Sequence, residues 1–154
     1  MTARLPRAPM LQRSQTVFLL SGAMFLVAFV ALGSAWSPGV AAVATWMPGV
    51  AYALGVAAAV VALGAVFLYK DRPRQRRVIG VVQILSLLTL VPLLVGLFGS
   101  TPPDAATAGE PSAGTDAGRY LVGLMPLIAY ILLRMARRGV DRDIAVVRSM
   151  DRIR

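Results

Sequence analysis

A chain of 154 residues, 57% of them hydrophobic and with a mean hydropathy of +0.70, has too little polar surface to enclose a soluble core, which places it among membrane proteins. It contains neither Cys nor His, so disulfides, thiolate nucleophiles, imidazole acid–base chemistry and Cys- or His-based metal or haem sites are excluded. The formal charge of +9 would fit a nucleic-acid partner only if the bases formed one stripe beside groups able to stack on nucleobases, but they lie between apolar runs. No nucleic acid and no cofactor are expected.

Four apolar stretches follow in chain order, at about 17–36, 50–69, 78–98 and 120–136. At about 1.5 Å rise per residue, some 20 residues cross a hydrocarbon core of roughly 30 Å, so the first three are long enough to span. The fourth reaches that length if Arg119 and Arg134 extend along their aliphatic stems to opposite interfaces. The runs are continuous and do not alternate, and backbone in lipid must satisfy its own hydrogen bonds, so helices are expected. The predicted fold is all-α: four transmembrane helices in a single membrane domain, followed by a short amphipathic helix at the C-terminal end.

Charge sets the orientation. Arg4, Arg7 and Arg13 precede the first span, Lys70, Arg72, Arg74, Arg76 and Arg77 separate the second from the third, and Arg134, Arg137, Arg138, Arg142, Arg148, Arg152 and Arg154 close the chain. Fifteen of the 16 bases thus share one side, while the segment 99–118 carries Asp104, Glu110 and Asp116. The bias of Lys and Arg toward cytoplasmic loops puts both termini inside a bacterial inner membrane. Trp36, Trp46, Tyr52 and Tyr120 then fall near the outer interface and Tyr69 near the inner one, where amphipathic rings are favoured.

The segment 99–118 is rich in Pro, Ala, Gly, Ser and Thr and has no large apolar residue, which predicts a mobile periplasmic loop. Ser37-Pro38-Gly39 and Met47-Pro48-Gly49 are turn signals bracketing a short apolar piece expected to lie along the interface. A basic start, an apolar run and Gly33-Ser34-Ala35 also match a cleavable signal peptide, but the run of about 20 residues exceeds a usual signal core, so a retained span is expected.

Three segments carry a family resemblance: Gln12-Arg13-Ser14-Gln15-Thr16, Lys70-Asp71-Arg72 with Arg74-Gln75-Arg76 after it, and Asp141-Arg142-Asp143 leading to Val147-Arg148-Ser149-Met150-Asp151-Arg152-Ile153-Arg154. Together they resemble the DUF4293 family of small membrane proteins from Bacteroidota and their relatives, over nearly the whole chain after residue 9. The chain departs from that pattern in its N-terminal extension, residues 1–9, and in an unusually Ala- and Gly-rich second span. The resemblance implies a four-span fold. The family is one of unknown function, so no catalytic or binding residue carries over.

The span interiors hold no Asp, Glu, His or Lys, which argues against ion-coupled transport, because such groups are costly in lipid and are kept for a use. Gln83, Ser86 and Thr89 recur at spacing three on the third span and form either interhelical hydrogen bonds or a polar track for a solute. Ala51, Gly55, Ala58 and Ala62, continued by Ala65, form a small-residue seam for a helix of the same chain or of a partner, with Ser21, Ala28, Ala31 and Ala35 as its complement on the first span. Pro92 and Pro126 release the carbonyls of Leu88 and Val122 and are expected to kink or loosen their helices. Lys70, Arg72, Arg74, Arg76 and Arg77 are expected to rest on anionic headgroups of the bilayer. In the tail, 139–154, the apolar Val140, Ile144, Val147 and Met150 share one face beside Arg148 and Arg152, which suits the inner leaflet or a docked partner. Asp71, Asp141, Asp143 and Asp151 neighbour bases and read as surface pairs.

These features favour a non-enzymatic scaffold or accessory subunit of an inner-membrane assembly, bound to a membrane-protein partner or to copies of itself, over a small oligomeric pore or facilitator. Orientation is testable by fusion. A reporter active only in the periplasm should work at Thr107 and a cytoplasm-dependent one at Arg154; the reverse pattern would overturn the charge argument.

Overall fold

The computed structural model describes the backbone of residues 8–99 and 113–151 and, within them, the side chains of 15–96, 98, 99, 118, 120–145 and 149. Helices α1 (Ala8–Ala31), α2 (Gly33–Val43), α3 (Met47–Phe67), α4 (Arg72–Gly99) and α5 (Ala113–Asp151) account for nearly all of it, with a 3-10 turn at Leu68–Lys70 and no strand among the described residues. Three helical segments, Met47–Lys70, Arg72–Gly96 and Tyr120–Ala145, are long and apolar enough to cross a membrane. The pair Gln15–Ala31 and Gly33–Val43, bent by 63°, makes a fourth if it counts as one span.

Helices α1, α3, α4 and α5 form a closed ring in which α1 packs on α3 and α5, and α4 packs on the same two from the other side. Every buried side chain of α3 is small: Ala51, Gly55, Ala58, Ala59, Ala62 and Ala65. Lipid offers no hydrophobic drive for helix association, so stability depends on van der Waals contact at close range, which small residues permit. The partner face of α1 is not the small-residue series expected from sequence, since Ala31 and Ala35 are exposed. It is the larger series Leu19, Ala23, Leu26 and Phe29, all 2% exposed or less. Large side chains on one helix fill the space left by small ones on the other: a Cβ on Gly55 would stand 3.0 Å from the Phe29 ring.

The first span departs most from expectation. Residues 37–43 are helical, so Ser37-Pro38-Gly39 is part of α2 and the turn lies at Ala44, Thr45 and Trp46. Trp36 is packed inside the protein: it is 1% exposed, stacked on Phe29 at a centroid distance of 4.8 Å and tilted against Tyr52 at 4.7 Å. Its indole N–H donates to the Phe29 carbonyl at 3.2 Å, in the last turn of α1 where backbone donors run out. The aromatic cluster therefore fastens the bend and folds α2 back onto α3, α4 and α5.

Pro92 and Pro126 lie inside α4 and α5, each of which runs past its proline as helix, and the fully buried Pro126 is held within the packed bundle. The remaining differences lie in α5. No separate C-terminal helix follows a break at Gly139, because α5 is continuous from Ala113 to Asp151. Gly139 has a packing role instead: a Cβ there would lie 2.4 Å from the Gln15 Cγ. Val140 is buried and Ile144 packs on the core, so the first apolar residues of the expected amphipathic tail belong to the bundle. At the other end of α5, residues 113–118 of the expected loop are helical, and 100–112 lie outside the described residues.

Close approach of α2 and α4 rests on Gly96, where an added Cβ would lie 2.8 Å from the Val40 Cα, a backbone atom that cannot swing aside. Gly96→Val should destabilise the detergent-solubilised chain by about 1–3 kcal/mol, as overpacking does. An added Cβ at Gly64 meets nothing within 4 Å, so Gly64→Ala should leave stability unchanged or raise it by up to about 1 kcal/mol. Thermal unfolding of both variants in the same micelle measures the difference.

Candidate functional site

Polar side chains gather at the end of the bundle that carries the α3–α4 turn. Asp71 sits before α4 as its N-cap, its Oδ1 accepting the Arg74 backbone N–H at 3.1 Å while Oδ2 pairs with the Arg74 Nε at 2.8 Å. The cap points the next side chain, Arg72, into the bundle. Arg72 Nη1 donates to Gln15 Oε1 on α1 at 3.1 Å and to Asp143 Oδ2 on α5, an ion pair whose side chains are only 24% and 22% exposed. Gln75, one turn into α4, donates from Nε2 to the Ala65 carbonyl of α3 at 3.1 Å. A second α4–α5 pair, Arg76 Nε to Asp141 Oδ1 at 2.5 Å, lies nearer the surface. All four ring helices are thus tied together by hydrogen bonds at one end.

Beside these groups opens a cavity of about 410 Å³. Thr16, Tyr69, Lys70 and Arg72 make its polar rim, and Leu19, Ile79 and Val140 its apolar wall. Lys70 is exposed, with its Nζ 5.7 Å from the Tyr69 ring centroid. A second cavity, about 300 Å³ and apolar, lies toward the other end between α2, α4 and α5, lined by Trp36, Leu93, Tyr120 and Leu127 among others.

The residues singled out from sequence fall into three places. Ala51, Gly55, Ala58 and Ala62 are buried against α1 and α4 within the monomer. Gln83, Ser86 and Thr89 are also buried, at 7%, 0% and 0% exposure. Gln83 Oε1 accepts from Arg137 Nη1 of α5 at 3.2 Å, and Thr89 Oγ1 donates to the Leu85 carbonyl at 2.8 Å. Ser86 Oγ is buried with no hydrogen-bond partner. At the basic turn, Lys70, Arg74, Arg76 and Arg77 are exposed, but Arg72 is turned inward and Arg76 is paired. The side chains of Val147, Arg148, Met150 and Arg152 lie outside the described residues.

Gln15, Thr16 and Gln75 were not among the candidate site residues, and Asp141 and Asp143 were read only as surface pairs. Helical phase carried a usable signal: Gln15 lies four residues before buried Leu19, and Gln75 four before buried Ile79, so each continues a core face into the polar end. Asp141 does pair near the surface, with Arg76, whereas Asp143 pairs deeper with Arg72, and in both cases the partner comes from another helix.

A family described as a domain of unknown function, DUF4293, matches residues 11–153. No curated protein and no solved structure matches the chain. The three segments that carry the resemblance supply the members of the Arg72 bridge: Gln15 from the first, Arg72 from the second and Asp143 from the third.

Arg72 and Asp143 should show coupling of about 1–3 kcal/mol in a double-mutant cycle of Arg72→Gln and Asp143→Asn, because removing either leaves a half-buried charge without its partner. The more exposed Arg76 and Asp141 should couple by less than about 1 kcal/mol. Unfolding free energies of the four forms of each pair decide this, and equal coupling for both would mean that depth in the bundle has no effect.

Proposed function

The chain belongs to the DUF4293 family, and since that family has no described function we propose a role from the chain's own features: a non-enzymatic scaffold or accessory subunit of a bacterial inner-membrane assembly, with both termini in the cytoplasm. The observation that carries this reading is the use of the polar and small side chains of the spans inside the monomer. The groups available to recognise anything else are then the lipid-facing surface and the basic end. Lys70, Arg77, Arg138 and Arg142 are exposed there and make no ion pair among the described residues. Such a surface suits anionic headgroups and an acidic face on a partner.

A pore or facilitator made of several copies would need Gln83, Ser86 and Thr89 to line the passage. Their burial between α4 and its neighbours counts against that arrangement. The seam on α3 is likewise occupied by the chain's own α1 and α4, so a homo-oligomer would have to use another face.

Two measurements test the proposal. In gently solubilised membranes the full chain should migrate on native gels in an assembly larger than its own 16.3 kDa and containing other polypeptides. Val147→Asp with Met150→Asp should release it while insertion is retained; a wild-type chain found alone would overturn the scaffold reading. Ser86→Ala separates packing from a passage. Replacing a buried hydroxyl that has no partner should leave stability unchanged or raise it by about 1 kcal/mol. A change in solute flux through reconstituted vesicles would instead favour the pore.

A further inference from the structure

We propose that the cavity at the basic end is a discrete binding site for one anionic phospholipid, with the phosphate between Lys70 and Arg72 and the upper part of an acyl chain against Leu19 and Ile79. The shape and chemistry of the cavity point to an amphiphile. Its rim carries two cations and the hydroxyl-bearing Thr16, while its wall is aliphatic, so a free anion would leave the wall unused and a plain hydrocarbon would leave the rim unused. Arg72, which lines the cavity, contacts Gln15 and Asp143 through Nη1, and a guanidinium carries five N–H donors in a planar fork, so those two contacts leave the donors of Nε and Nη2 for a further acceptor. Asp143 and Gln15 hold that fork in place, and phosphate binding would not have to order it. Lys70, exposed on the last residue of the 3-10 turn, supplies the net positive charge that the Arg72–Asp143 pair does not.

The proposal rests on the assignment of the basic end to the anionic leaflet, and it differs from diffuse headgroup contact in requiring the cavity itself. Native mass spectrometry of the purified full chain reads binding directly, in detergent and without regard to topology, so its failure is distinguishable from a wrong orientation. The chain should retain one phosphatidylglycerol in preference to phosphatidylcholine. Lys70→Gln should weaken that binding about fivefold, the effect of one base beside an anionic headgroup. Thr16→Trp, which alters no charge but fills the cavity, should abolish the preference. Arg77→Gln, an equal loss of charge outside the cavity, should change binding by less than about twofold. Inorganic phosphate at the same concentration should not displace the lipid. Equal losses for Lys70→Gln and Arg77→Gln, wild-type binding by Thr16→Trp, or displacement by inorganic phosphate would each overturn the site.

Discussion

The bundle depends on how closely α3 can approach its neighbours. A helix whose buried face is built from Ala51, Gly55, Ala58, Ala62 and Ala65 presents little more than backbone, and α1 and α4 pack against it with larger side chains. Without a solvent that expels apolar surface, this short-range contact supplies most of the association. The spacing it sets also decides what happens at the ends. With α1, α4 and α5 held around one axis, Gln15, Arg72 and Asp143 come within hydrogen-bonding reach although they are distant in sequence.

Polarity inside the bundle is graded along that axis. Ser86 and Thr89 lie deep, Thr89 donating its hydroxyl hydrogen bond to its own helix at the Leu85 carbonyl and Ser86 finding no partner. Gln83 is the first group to bridge two helices, accepting from Arg137. One or two turns closer to the basic end come Gln75, Gln15 and then the ionised Arg72 and Asp143. Desolvation accounts for the ends of this gradient: Arg137 meets Gln83 from a half-buried position, and the Arg72–Asp143 bridge sits where it is partly wet. Such a bridge adds little net stability over an apolar pair. It does penalise any register that separates its members, and that is a specific gain in a bundle whose α3 face is nearly featureless.

Sequence patterning located α3 and α4 as long apolar helices, though α4 begins at Arg72, six residues before the apolar run itself, because twenty-odd uninterrupted apolar residues admit few alternatives. It also marked the seam and the Gln83, Ser86, Thr89 row, since helical phase is a local property. It misjudged the end of the first span, where Gly33, Ser37, Pro38 and Gly39 look like turn residues. Stacking of Trp36 between Phe29 and Tyr52 overrides that preference by tertiary contact, and no local pattern announces it. Gly139 gives no local sign of its role either, because the Gln15 side chain that it admits comes from another helix.

The basic turn shows how charge counting treats alike residues that the folded chain uses differently. In the positive-inside rule the five bases between residues 70 and 77 count equally. In the folded chain they are unequal. Arg72 is drawn inward by a carboxylate some seventy residues away, Arg74 and Arg76 are balanced by Asp71 and Asp141, and Lys70 and Arg77 keep their charge for the surroundings. Of those two, only Lys70 stands on the rim of a cavity. The same five residues therefore divide between helix registration and surface charge, and the division follows from which of them meet a carboxylate of α5 or of their own turn.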